Sequence, residues 1–169
     1  PMPGDEHIAM AEFWIFDAAS GAGTRVAMPP TMAPTFSPFD RNDVAWTKEG
    51  SRLAIVTHER GYHQAGLVVA DATSGAVVTV VEEHGPTFVA PSMSPVSDVP
   101  MVYSSDDGSE ALWMSERDGW SHLYLYDQAH GAVIRQVTSG PWVVREICHV
   151  DDAGRTLFFT AGGKEVGRD

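Results

Sequence analysis

The chain has 169 residues, 43% of them hydrophobic and 20% charged, with a formal net charge of −12. That balance supplies a core and argues against nucleic acid or an anionic membrane as partner, because the 11 basic residues would have to cluster against a large acidic excess. No run approaches the roughly 18 uninterrupted apolar residues of a membrane helix, and a single cysteine, Cys148, excludes an intrachain disulfide.

In chain order, Pro1-Met2-Pro3-Gly4-Asp5-Glu6 has neither a basic n-region nor an apolar h-region, and the start reads as truncated. Phe13-Trp14-Ile15-Phe16 is an apolar strand that runs into Asp17-Ala18-Ala19-Ser20-Gly21, with a second, more polar strand over 24–28. Asp can accept bonds from the N–H groups just after it, and Gly takes φ > 0 without steric cost, so Asp-x-x-x-Gly reads as a tight turn. Residues 43–83 hold four strands, at 44–47, 53–57, 67–70 and 77–81. The third again leads into such a turn, Asp71-Ala72-Thr73-Ser74-Gly75. Pro86, Pro91, Pro95 and Pro100 make 84–100 a connection rather than a strand.

Residues 101–138 repeat the four-strand pattern. Tyr103 to Gly108 form a polar turn before Leu112-Trp113-Met114; Glu116-Arg117-Asp118-Gly119 precede Leu123-Tyr124-Leu125-Tyr126; and Asp127 to Gly131 lead to a more polar strand over 133–138. Residues 143–161 supply two strands more, with Cys148 in the first of them, where it reads as a small buried hydrophobe. The three Asp-x-x-x-Gly turns are spaced 54 and 56 residues apart. Four strands per period of about fifty residues, with third strands apolar on both faces, indicate a β-propeller, whose blades stack face to face.

The fold class is therefore all-β, a partial β-propeller: half-blade 1–28, blade 43–83, blade 101–138 and half-blade 143–161 of a single propeller domain. Propellers close with about four or more blades, so the chain reads as a segment of a larger one, cut inside blades at both ends. Outer strands carry Arg25, Thr79, Arg135 and Gln136, the polarity expected at a rim.

Candidate chemistry is sparse. Gly119-Trp120-Ser121-His122-Leu123 lacks the second glycine of Gly-x-Ser-x-Gly and leads into a strand, so Ser121 and His122 read as structural. His58-Glu59-Arg60-Gly61-Tyr62-His63 places its histidines five apart around a glycine, unlike the helical His-Glu-x-x-His zinc motif. Glu82-Glu83 reads as a solvated pair at the rim rather than an acid/base dyad. No residue of this chain is assigned a catalytic, cofactor-binding or metal-ligating role, and no cofactor is expected.

The block Trp113-Met114-Ser115-Glu116-Arg117-Asp118-Gly119-Trp120-Ser121-His122-Leu123-Tyr124, with Arg135-Gln136-Val137-Thr138-Ser139-Gly140 and Trp142-Val143-Val144 after it, resembles the propeller of the prolyl oligopeptidase family of serine peptidases. Within that family the dipeptidyl peptidase IV branch is most similar, and Asp43-Val44-Ala45-Trp46 and Phe158-Phe159-Thr160-Ala161 fall in its order. The resemblance implies a propeller over a C-terminal α/β-hydrolase domain, with peptide substrate reaching a Ser-Asp-His triad that lies outside this chain. It implies release of N-terminal dipeptides, typically with Pro or Ala second, and gives Glu82-Glu83 no part in holding the substrate amine. Two alternatives stand beside it: a non-catalytic propeller scaffold binding a protein partner, and a homodimer in which 143–161 of one copy pairs with 1–28 of another to close a six-bladed ring.

Overall fold

The computed structural model describes residues 6–32, 43–89 and 102–163. These form fourteen strands with antiparallel pairing throughout and no helix among the described residues. The strands are β1 (Met10–Ala11), β2 (Trp14–Phe16), β3 (Gly23–Arg25), β4 (Thr31–Met32), β5 (Val44–Trp46), β6 (Arg52–His58), β7 (Gln64–Asp71), β8 (Val77–His84), β9 (Val102–Ser104), β10 (Glu110–Ser115), β11 (His122–Asp127), β12 (Ala132–Gln136), β13 (Val143–Asp151) and β14 (Thr156–Gly162). Two four-stranded sheets run in sequence order, β5-β6-β7-β8 and β9-β10-β11-β12, flanked by the hairpins β2-β3 and β13-β14. The chain is a partial β-propeller.

Alternation along the third strands explains why they are apolar throughout. On β7, Leu67 and Val69 pack with Ala111, Trp113, Tyr124 and Tyr126 of the following sheet. Ala70, one residue on, joins Leu53 and Ile55 against Val26, Phe13 and Ile15 of the preceding hairpin. β11 divides likewise, Tyr124 and Tyr126 going to the β7 side, and Leu123 and Leu125 to a cluster with Leu112, Met114, Val144 and Ile147. Each sheet thus buries both faces between neighbours, at roughly 25 cal/mol per Å² of apolar surface. β12, at an outer edge, is exposed along its whole length.

The Asp-x-x-x-Gly turns form as read. Asp17, Asp71 and Asp127 each accept through Oδ1 from a backbone N–H in the turn, at 2.6 Å from Ser20, 2.7 Å from Ser74 and 2.7 Å from Ala129. Gly21, Gly75 and Gly131 sit at φ +72°, +71° and +66°. Two of these glycines also touch neighbouring sheets: a Cβ at Gly75 would overlap the carbonyl oxygen of Arg25 on β3, and one at Gly131 that of Thr79 on β8.

Several details depart from the sequence reading. β8 runs on to His84, the first residue of the expected 84–100 connection, whose residues 90–100 lie outside the described residues. The short β1-β4 pair was not anticipated. Cys148 is exposed, not buried: the β13-β14 pairing shifts register between Ile147 and His149, so Cys148 has no partner on β14, and Ile147 takes the core side. Its thiol lies 3.7 Å from Glu146 Oε1. In the β13-β14 turn Arg155, a non-glycine residue, has a positive φ of +52°.

Candidate functional site

A cleft of about 750 Å³ lies where the ends of β8, β10 and β13 come together, lined among others by Glu83, Phe88, Ser115, Arg117, Ser121 and Arg145. Ser115 closes β10 and the Glu116 to Gly119 turn follows, tied by a 2.9 Å bond from Gly119 N to Glu116 O. Asp118 accepts from Gln136 Nε2 at 2.7 Å and from Trp120 N at 3.1 Å. Partial burial acts against ionising Asp118, but those donors prevail and hold its carboxyl below the ordinary range.

Glu83 is the centre of the cleft wall. It leaves β8 on the face toward β10 and accepts from Trp113 Nε1 at 2.8 Å, Ser115 Oγ at 2.8 Å and the Arg117 guanidinium at 3.2 Å. Arg117 also donates to Tyr126 Oη at 2.7 Å and to Ser115 Oγ at 2.8 Å, and its guanidinium carbon stands 4.3 Å from the Tyr124 ring centroid. The Glu83 side chain is only 14% exposed and that of Arg117 34%. This corrects the reading of a solvated pair. Glu82 does face solvent, accepting from His84 Nε2 at 3.0 Å and Gln64 Nε2 at 3.2 Å, whereas Glu83 joins two sheets. Both Glu83 oxygens are committed to donors and the Arg117 charge is matched, so the pair braces the cleft rather than transferring protons.

The other sequence candidates are placed elsewhere. His122 is fully buried, its Nε2 2.9 Å from Gly140 O and its Nδ1 3.1 Å from Thr138 Oγ1. Only Nε2–H can serve a carbonyl, and Nδ1 pairs with the Thr138 hydroxyl, which itself accepts from Leu123 N at 3.0 Å. The Ser121 carbonyl accepts from Val144 N at 2.8 Å, joining β13 to the sheet before it. His58 lies 5.8 Å from Tyr62, ring to ring, and His63 Nδ1 lies 3.4 Å from Gly85 O. Among the described residues no three His, Cys, Asp or Glu side chains are grouped to hold a metal.

A cavity of about 100 Å³ lies between β9-β10 and β13-β14, lined by Tyr103, Glu110, Leu125, Arg135, Asp152 and Leu157 among others. Asp152 bridges the two units, accepting from Tyr103 Oη at 2.8 Å and Asp106 N at 3.0 Å. Burial first, then the Asp152 carboxylate, pushes the Tyr103 hydroxyl up. Asp107, beside them, is held at about 2 by the N–H and hydroxyl of Ser109 and by the Ser105 hydroxyl. A folded-state value below the ordinary 3.8 gives stability that is full above about pH 4 and is lost as pH falls through about 2. Asp107→Asn is therefore expected to flatten the pH dependence of the urea midpoint below pH 4, a change that is absent if the turn carboxylate is freely solvated.

Trp113, Ser115 and Arg117 stand within the motif block, yet nothing in the sequence joins them to Glu83, some thirty residues earlier. The usable signal is a tryptophan inside a buried strand, whose N–H requires an acceptor.

Comparison with known proteins adds a consistent result. The family model for the dipeptidyl peptidase IV N-terminal region matches residues 1–169. The chain is 28% identical over 121 residues to an Emericella nidulans protein named probable dipeptidyl peptidase 4, covering 69% of this chain and 16% of that one. An Aspergillus flavus protein of the same name is 24% identical over 118 residues, covering 69% and 15%. Among solved structures, that of Porphyromonas gingivalis dipeptidyl peptidase 4 superposes with a TM-score of 0.68 at 21% identity, over 90% of this chain and 20% of that one. The chain thus spans about a sixth of the fungal relatives' length.

Proposed function

Because the chain belongs to the dipeptidyl peptidase IV N-terminal region family, we propose that it is the propeller portion of a dipeptidyl peptidase IV-like serine exopeptidase. In this reading residues 1–169 are a segment of one propeller domain, with units at 1–28, 43–83, 101–138 and 143–161. A C-terminal α/β-hydrolase domain, outside this chain, carries the Ser-Asp-His triad. The propeller walls the chamber through which peptide reaches that triad, and the parent enzyme releases N-terminal dipeptides with Pro or Ala second.

The match along the whole chain is the observation that carries the proposal. The braced Glu83–Arg117 wall is consistent with it, since a chamber wall must be rigid and need supply no nucleophile. The test uses the native full-length gene product. A mass several times 18.3 kDa, covalent labelling by a serine-directed phosphonate, and cleavage of Ala-Pro anilide but not of its N-acetylated form are the expected results. A product near the mass of this chain that resists labelling would overturn the reading in favour of a non-catalytic scaffold.

A further inference from the structure

Arg145 brings an unmatched positive charge to the cleft between the ends of β8, β10 and β13. The β13-β14 register shifts between Val144 and Glu146, so Arg145 is the extra residue of a bulge and has no partner on β14. Bulges re-aim side chains. Here the guanidinium lies over Gly162, where a Cβ would stand 2.7 Å from Nε. Among the described residues Arg145 makes no hydrogen bond and no ion pair. Arg117, the other guanidinium of the cleft, is matched by Glu83 at 3.2 Å. Of the remaining charged groups there, His84 is engaged by Glu82, and Glu116 is an exposed carboxylate of the β10-β11 turn.

The same cleft holds an aromatic surface. Phe88 is 52% exposed, and its ring stacks on that of Tyr62 at 4.8 Å. Tyr62 lies in the β6-β7 turn at φ +58°, an uncommon conformation for a bulky residue. It is fixed from both sides, Tyr62 N donating to Glu59 O at 3.1 Å and Val89 N to Tyr62 O at 2.6 Å. Backbone strain persists only where the surroundings impose it, and its result here is a ring held against Phe88. Buried Met114 and Val144 add apolar lining. A volume of about 750 Å³ falls within the range of roughly 300–1,000 Å³ usual for ligand sites.

We propose that this cleft binds a peptide carboxylate, which the Arg145 guanidinium takes through charge-assisted hydrogen bonds while Phe88 receives the apolar side chain beside it. The planar fork of arginine fits a carboxylate with two parallel N–H donors. A singly charged anion suits the position better than a phosphate, because Glu83 and Glu116 line the same cleft and the chain carries a net charge of −12. The inference rests on the peptidase reading for one point, that the bound peptide is substrate.

Calorimetric titration of the native full-length protein with three N-acetylated tripeptides tests it: acetyl-Gly-Phe-Asp amide, acetyl-Gly-Phe-Asn free acid and acetyl-Gly-Phe-Asn amide. One or both carboxylate peptides are expected to bind about tenfold more tightly than the Asn amide, the scale of a charged hydrogen bond in a site open to water. The tighter of the two isomers identifies a side-chain or a terminal carboxylate as the ligand. Equal binding of all three would overturn the proposal without recourse to any variant. In full-length Arg145→Gln the preference should vanish, and a preference that survives would place the carboxylate on another cation. Replacing Phe by Gly in the preferred peptide should weaken binding several-fold, and no loss would remove Phe88 from the site. Phosphonate labelling of the same preparation separates the two ideas. A labelled protein that binds all three peptides alike loses only the carboxylate site; an unlabelled one with an Arg145-dependent preference loses only the peptidase reading.

Discussion

Gly131→Val is expected to destabilise the protein by roughly 4 kcal/mol, the sum of two costs that the position combines. A β-branched residue at φ +66° is strained by about 1–3 kcal/mol. The new Cβ would also overlap the Thr79 carbonyl of the preceding sheet, where β8 is held by its pairing with β7 and cannot retreat without loss of ladder bonds; overpacking of this kind costs typically 1–3 kcal/mol. Gly119→Val separates the two, since Gly119 has φ +91° and open space around it. Denaturant midpoints should therefore fall further for Gly131→Val than for Gly119→Val. Equal falls would mean that the turn glycines answer only a local backbone need and do not set the spacing between sheets.

The second large effect is at Glu83. Removing its carboxylate leaves Trp113 Nε1–H and the Ser115 hydroxyl without their acceptor and Arg117 without its counter-charge. Glu83→Leu is expected to cost roughly 3 kcal/mol, near the low end for a broken buried pair because a third of Arg117 is in contact with water. Glu83→Gln, which keeps an acceptor for Trp113, should cost less. In the double variant with Arg117→Met, much of the loss should be recovered, because an apolar replacement of both partners leaves no uncompensated charge. Additive effects of Glu83→Leu and Arg117→Met would sink the network, and a loss below about 1 kcal/mol for Glu83→Leu would restore the solvated carboxylate of an ordinary surface pair.

These two sites differ in how far the chain alone discloses them. Gly131 is legible because its requirement is local: Asp127 offers an acceptor to the turn, the apolar run before it marks a strand, and only glycine takes the left-handed φ cheaply. The same local logic gives the strand periods and the both-face burial of Leu67 to Ala70 and of Leu123 to Tyr126. Glu83 is not legible. Next to Glu82 it looks like half of a solvated pair, and its partners come from a strand and turn about thirty residues later.

Cys148 and Arg155 follow the second pattern. A strand context makes a cysteine look buried, but a register shift in β13-β14 decides its side. Arg155 takes a positive φ in the β13-β14 turn, with its guanidinium on both carboxylate oxygens of Glu110 in the neighbouring sheet. By itself the sequence determined the propeller class, the blade period and the turn chemistry, because hydrophobic periodicity and backbone preferences act over a few residues. Only the tertiary structure decided which side chains brace the cleft, which thiol is exposed and where one sheet's carbonyl meets the next sheet's glycine. Those outcomes depend on register and on the meeting of segments far apart in the chain, which local preference does not encode.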